Sequence, residues 1–258
     1  DYFPKENICS LIDTPIYLEG KLVGLLSFEC TTKYKDWDNE DISFARSIAD
    51  FLAIASETNQ RLLAEKKLAY KSEMLSVVAK NTEQFIRFKD DNILFETTFN
   101  AIGNVLGVNR LSFFENDSAN KVYIQKYRWS KENQSLKEIN ELVKSIPYEK
   151  VSEPHQLILE KKHYHKIVKD IDNIEFKTFL ESLEIRSILF IPVYINNALY
   201  GTLVFDDSDI ERVWSEDELT ILHTLSNNIS FAIERNIFEN KIIESEKRFK
   251  LISENIPG

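Results

Sequence analysis

At 258 residues, 43% hydrophobic and 29% charged, the chain is long enough for one large globular domain or two smaller ones. Its formal net charge of −10 argues against nucleic acid and anionic membrane surfaces, which reward clustered Lys and Arg. Two cysteines, Cys9 and Cys30, make no disulfide framework, and no apolar run approaches the roughly 20 residues that cross a bilayer, so a cytoplasmic setting is expected.

The first residues, Asp1 to Lys5, have neither the basic start nor the apolar stretch of a signal peptide. Residues 10–18 and 21–28 read as two strands joined by the tight turn Glu19-Gly20. Plain alternation then sets Tyr17 opposite Leu22 and Pro15 opposite Gly24. A helix follows, opened by a capping-box spacing at Asp38 and Asp41. No Pro or Gly interrupts it before Gly103, and one nearly continuous helix is predicted from 38 to about 86. Its positions Ala64, Leu68, Lys71, Leu75, Val78, Thr82 and Phe85 alternate steps of four and three, a heptad seam weakened by Lys71 and Thr82.

An amphipathic helix is predicted over 90–107, stopped by Gly107. Strands follow at 109–115 and 121–129, joined by the turn-rich residues 116–120. Residues 136–183 are mixed, broken at Pro147 and Pro154, with a short helix near Phe176 to Leu183. Two more strands, a loop and a second long helix from Ser215 complete the chain. That helix runs to Pro257 and carries its own seam, Phe238, Ile242, Ser245, Phe249 and Ile252.

This last part repeats the first. Residues 10–59 align without a gap on 187–236, with 11 identities in 50 against about three expected from average composition. The pairs include Ser10/Ser187, Pro15/Pro192, Tyr17/Tyr194, Leu22/Leu199, Gly24/Gly201, Leu26/Leu203, Phe28/Phe205 and Trp37/Trp214. On plain alternation the shared hairpin residues fall on one face, which would seat the helices. The other face varies: Val23, Leu25 and Ser27 against Tyr200, Thr202 and Val204.

Candidate chemistry is sparse. Six glycines include no phosphate-cradling motif. His163 and His165 share a strand face, but no third metal ligand is evident beside them and three lysines crowd them. His223 lacks the acidic neighbour and the Arg and Pro that follow a kinase phosphoacceptor. Cys30 has no nearby His or clear basic pair to activate it as a nucleophile. The acidic clusters at 36–41 and 216–218 suit helix N-termini. No paired nucleophile and base is present, so no catalytic residue, metal ligand or cofactor is assigned and the chain is not expected to be an enzyme.

Ser187 to Phe205, followed by Trp214-Ser-Glu-Asp-Glu218, resembles the second half of a GAF domain, and Ser10 to Glu57 resembles the same half of another. Glu246 to Gly258 is similar to the opening of a PAS domain. The resemblance implies an α+β fold, a GAF-type antiparallel sheet with helices on both faces, plus long linker helices. It implies the C-terminal half of a first GAF domain over 1–58, a linker helix over 59–86, a complete second GAF domain over 87–236, a linker helix over 237–250 and a PAS start over 251–258. The Asn-Lys pair of cyclic-nucleotide GAF domains and the Cys-His of bilin-attaching ones are both missing.

The function this implies is a cytoplasmic sensory and relay fragment of a bacterial-type sensor, with a histidine kinase as the expected output. It would dimerise through the linker helices. A ligand-free dimerisation spacer and a regulatory part of a cyclic-dinucleotide enzyme are the alternatives. A small-molecule ligand would lie over the variable sheet face of the second domain, on Tyr200, Thr202 and Val193 rather than Tyr194 or Phe205. Trp129, among the alternating aromatics of 113–129, is a further lining candidate.

Overall fold

The computed structural model describes residues 7–87, 91–131 and 143–254. They form two compact units, Asp1–Tyr70 and Lys71–Gly258.

In the first unit, β1 (Ser10–Leu18) and β2 (Lys21–Cys30) make an antiparallel hairpin. Glu19 and Gly20 both have positive φ, the backbone that a two-residue turn between right-twisted strands requires. Helix α1 spans Asn39–Arg87 without a break, as the missing Pro and Gly predict. Asp38 caps it: its carboxylate accepts from the backbone N–H of Asp41 at 2.9 Å, while Asp41 accepts in return from Asp38 N–H. Ala45 and Ala49 bury one early stripe of α1, and Met74, Val78 and Asn81 bury a later one. Between them, Ile54 to Ala69 are exposed all round.

The second unit is built on a six-stranded antiparallel sheet in the order β5-β4-β3-β8-β7-β6. Its strands are β3 (Arg110–Asp117), β4 (Val122–Ser130), β5 (Ser145–Pro147), β6 (Tyr164–Ile167), β7 (Ser187–Ile195) and β8 (Ala198–Asp207). Helices α2 (Asp91–Leu106) and α5 (Glu216–Glu254) cover one face; the short helices α3 (Ser152–Leu159) and α4 (Ile174–Ser182) lie on the other. Gly107, at φ +65°, ends α2 by donating its N–H to the Gly103 carbonyl. Beneath α2 and α5, Leu111, Phe113, Leu189, Ile191, Val193, Leu203 and Phe205 meet Phe95, Phe99, Ile102, Leu222, Leu225 and Ile229, all buried. The helix seams are only partly free. Lys71 pairs with Asp217 of α5 at 2.9 Å, and Thr82 accepts from Asn228 at 2.8 Å, so these two seam positions serve their own unit. Among the described residues no helix is long and apolar enough to cross a membrane.

The internal repeat extends to atomic detail. Asn196 and Asn197 repeat the positive-φ turn. Ser187 Oγ accepts from Arg212 N–H and Ser10 Oγ from Lys35 N–H, both at 3.1 Å. The Lys35 ammonium lies over Trp37, as the Arg212 guanidinium lies over Trp214. Ser215 and Glu218 form the second capping box. Both hairpins also carry a β-bulge at the same place, between Ile16 and Tyr17 and between Val193 and Tyr194.

That bulge changes which residues share a face. The extra residue is Val23 in one copy and Tyr200 in the other. Beyond it Pro15 pairs with Leu25, not Gly24, and Pro192 with Thr202, while Val193 pairs with Gly201. Since the side-chain period is two, one inserted residue transfers everything beyond it to the opposite face. The identical residues therefore do not all lie on the helix side. Pro192 belongs with Thr202, and Tyr194 turns towards α3, its hydroxyl donating to the Ile158 carbonyl.

Candidate functional site

A cavity lies between the sheet and the α3/α4 layer, on the face formed by Arg110, Ser112 and Phe114 of β3, Gln125 and Arg128 of β4, Thr202, Val204 and Asp206 of β8, and Ile188 and Phe190 of β7. Ile146 of β5 borders it, and Val151, Phe176, Phe179, Leu180 and Leu183 close it from the other side. Its volume is about 70 Å³, several times the roughly 10–15 Å³ that a single water needs. Local sequence explains the two faces. In β3 and β8, Leu111, Phe113, Leu203 and Phe205 pack under the long helices, which leaves the intervening Arg110, Ser112, Thr202 and Asp206 to line the cavity.

One end of the cavity is polar. Arg110 Nε donates to Asp206 Oδ1 at 2.5 Å, and Arg110 Nη2 to the Leu183 carbonyl at 3.0 Å. Burial pushes the Asp206 carboxyl up to about 6, against the pull of the Arg110 and Arg128 guanidiniums. Gln125 Nε2 donates to Ser112 Oγ at 3.1 Å, while Gln125 Oε1 is buried without a partner among the described residues. Arg128, half-buried, has no hydrogen-bond or ion-pair partner among the described residues; burial and the Arg110 charge lower its pKa.

Of the four residues picked from sequence, Thr202 lines the cavity, its hydroxyl donating to the Ile191 carbonyl at 3.1 Å. The other three sit elsewhere. Val193, fully buried, faces the helix side because of the bulge. Tyr200 is the bulge residue, its ring stacked on Phe113 at 6.2 Å. Trp129 packs beneath α2, where its Nε1 donates to Asn100 Oδ1 at 3.3 Å. Phe205 also lies on the helix side, edge-on to Trp214.

Arg110, Gln125, Arg128 and Asp206 were not singled out from sequence. A signal existed: charged and amide side chains alternate with wholly apolar ones in neighbouring strands, which a solvated face also produces. The helices that cover this face come from residues 152–182, where periodicity is least informative.

The histidines converge more than the sequence suggests. His163 Nδ1 lies 3.0 Å from His223 Nε2, and the His163 ring stacks on His165. Burial, and then the nearby His163, lower the pKa values of His165 and His223. Among the described residues no group of three or more His, Cys, Asp or Glu is arranged to hold a metal ion.

An antiparallel sheet enclosed between helices, with a cavity on one face, defines an α+β domain of the GAF type. The GAF domain family model matches residues 1–55 and 92–233, most of the chain, and the chain belongs to the GAF domain family. It is 27% identical over 195 residues to the methanogenesis regulatory histidine kinase FilI of Methanothrix harundinacea (strain 6Ac), a match covering 74% of this chain and 21% of that protein. The chain thus spans about a fifth of that relative. In fold it resembles the phycocyanobilin-bound GAF domain of a cyanobacterial phytochrome (TM-score 0.56, 18% identity, 64% of this chain and 96% of that one). The phycoerythrobilin-bound GAF domain of a cyanobacterial phytochrome is similar too (TM-score 0.55, 17% identity, 64% and 96%).

Proposed function

We propose that this chain is a non-catalytic sensory segment of a larger cytoplasmic signalling protein, with a small molecule bound in the cavity and a histidine kinase as the output. The observation that carries the reading is the position of β7. On one side Ile188 and Phe190 line the cavity. On the other Ile191 and Val193 are buried in the core that α5 covers, and Ser226 of α5 donates to the Pro192 carbonyl at 2.5 Å. A ligand that favours one placement of β7 therefore biases the placement of α5, whose residues 241–248 are exposed and able to engage a following domain. The family membership and the similarity to a regulatory histidine kinase support the same output. In this reading the first unit is the second half of another GAF domain. Its family match and its repeat of the bulge, turn, cap and Trp contacts speak for that. The reading continues with a PAS start over 251–258, where residues 255–258 lie outside the described ones.

Filling the cavity with Val204→Trp in the full-length protein is the direct test. Autophosphorylation of the filled variant is expected to be constant across growth conditions that change it in the wild type. A variant that still follows those conditions would count against ligand sensing at this site.

Homodimerisation is the second element. Phe231, Phe238 and Ile242 form an exposed stripe at heptad-compatible spacing on α5, with Phe231 at 70% and Phe238 at 64% exposure. Leu68 and Leu75 are similarly exposed on α1. Sedimentation equilibrium is expected to show a weak dimer for this chain, and a monomer for Phe238→Glu at the same concentration. Equal masses for the two would remove the helices as the interface.

A further inference from the structure

Charge balance at the polar end of the cavity narrows the ligand, on the footing that the cavity is the sensory site. Among the described residues, two guanidiniums, Arg110 and Arg128, face it against one carboxylate, Asp206. Arg110 is already committed, to Asp206 and to the Leu183 carbonyl. Arg128 is the group left over: a half-buried cation with no partner among the described residues. Asp206 acts on it only through space. A cation partly withdrawn from water without a bonded counter-charge is costly, and a planar guanidinium is matched in shape by a carboxylate, which it binds through two parallel hydrogen bonds. Gln125, the next cavity-side residue of β4, adds an Oε1 that has no partner among the described residues and can accept from a hydroxyl or an N–H. The rest of the wall is hydrocarbon, from Phe114, Ile146, Phe176, Leu180, Ile188 and Val204.

We infer that the cavity takes a small amphipathic monocarboxylate, its carboxylate on Arg128, a hydroxyl or N–H on Gln125 and its apolar body against α4. One net positive charge asks for one negative charge. A nucleotide or a dicarboxylate brings more charge than the single uncommitted cation balances, and a neutral hydrocarbon leaves Arg128 unpaired. Asp206 keeps Arg110 oriented and out of competition for the incoming acid.

Thermal unfolding and calorimetry of the wild-type chain with hexanoate, 3-hydroxyhexanoate and phenylacetate, beside hexanamide, phenylacetamide and succinate, test this. The three monocarboxylates are expected to raise Tm in a concentration-dependent way, with 3-hydroxyhexanoate the tightest. Each amide is expected to bind at least tenfold more weakly than its acid. Arg128→Gln should lose at least tenfold in affinity for the acids, and Arg128→Lys should recover part of it. The comparison of acid with amide needs no variant, so it stands even if Arg128→Gln folds poorly. Amides binding as well as their acids, succinate binding better than hexanoate, or no Tm shift with any monocarboxylate at 10 mM would each overturn the assignment. The sensory reading would be untouched by those results, since it rests on the response of the Val204→Trp protein.

Discussion

Truncating Trp129 to alanine is expected to destabilise the GAF unit by about 3–5 kcal/mol, the usual range for removing a large aromatic from a close-packed core. Trp129 is 1% exposed, and its indole is pressed against α2 so closely that a Cβ on Gly103 would sit 2.3 Å from its Cζ3. The cavity left by alanine is walled by α2 and the sheet, neither of which can collapse into it without moving a whole element. The hydrogen bond to Asn100 is lost as well. Urea unfolding followed by hydrogen exchange of the β3 and β4 amides measures the effect on this unit alone. Ligand binding is a separate matter, because Trp129 does not line the cavity. A Trp129→Ala protein of near wild-type stability would mean that the indole is not the keystone beneath α2.

How far the sequence led can be judged residue by residue. Local rules sufficed for the turns: a two-residue hairpin demands positive φ at both positions, which Gly20, Asn196 and Asn197 tolerate and which the turn imposes on Glu19. They sufficed for the helix starts at Asp38 and Ser215, where the reciprocal side-chain bonds form, and for the uninterrupted course of α1. The identity of Ser10 and Ser187 was visible, but not its cause. Each hydroxyl accepts from a backbone N–H 25 residues later, a contact that only the closed loop creates.

The bulge was not legible. Neither Val23 nor Tyr200 is a glycine or carries another mark of an extra residue, and plain alternation passes through both. That one missed residue placed Val193 on the wrong face. Arg128 and Gln125 stayed hidden for a different reason. A half-buried strand with polar side chains on one face reads as solvated until something is known to cover it. The cover here is α4 together with Val151, Leu183 and Ile185, from the least periodic part of the chain. The seam was read in part: its spacing is present, but Lys71 and Thr82 turned out to be anchors to α5 rather than defects in a free stripe.

The repeat supports one more expected result, in which the same substitution has opposite outcomes in the two copies. Gly24 and Gly201 occupy equivalent places beside the bulge. Neither has a positive φ, so the backbone itself accepts alanine at both. What differs is the neighbour across the sheet. A Cβ at Gly201 would meet the Phe114 carbonyl oxygen at 2.4 Å and the Phe113 ring at 2.6 Å, because β3 runs alongside β8. Main-chain oxygen in the middle of a sheet cannot step aside, and the Phe113 ring is packed against Phe95 and Tyr200. Gly201→Ala is therefore expected to cost about 3 kcal/mol, at the severe end for overpacking. At Gly24 the nearest atom to a new Cβ is Ile16 Cδ1 at 4.0 Å, ordinary van der Waals contact. Gly24→Ala should leave stability unchanged or raise it by up to about 1 kcal/mol, by restricting the unfolded chain. Denaturation of the two variants, with hydrogen exchange to assign the change to β1 and β2 or to β7 and β8, separates the outcomes. Equal losses at both positions would mean that β2 of the first unit is packed as closely as β8, with a neighbouring strand in the place that β3 holds in the second.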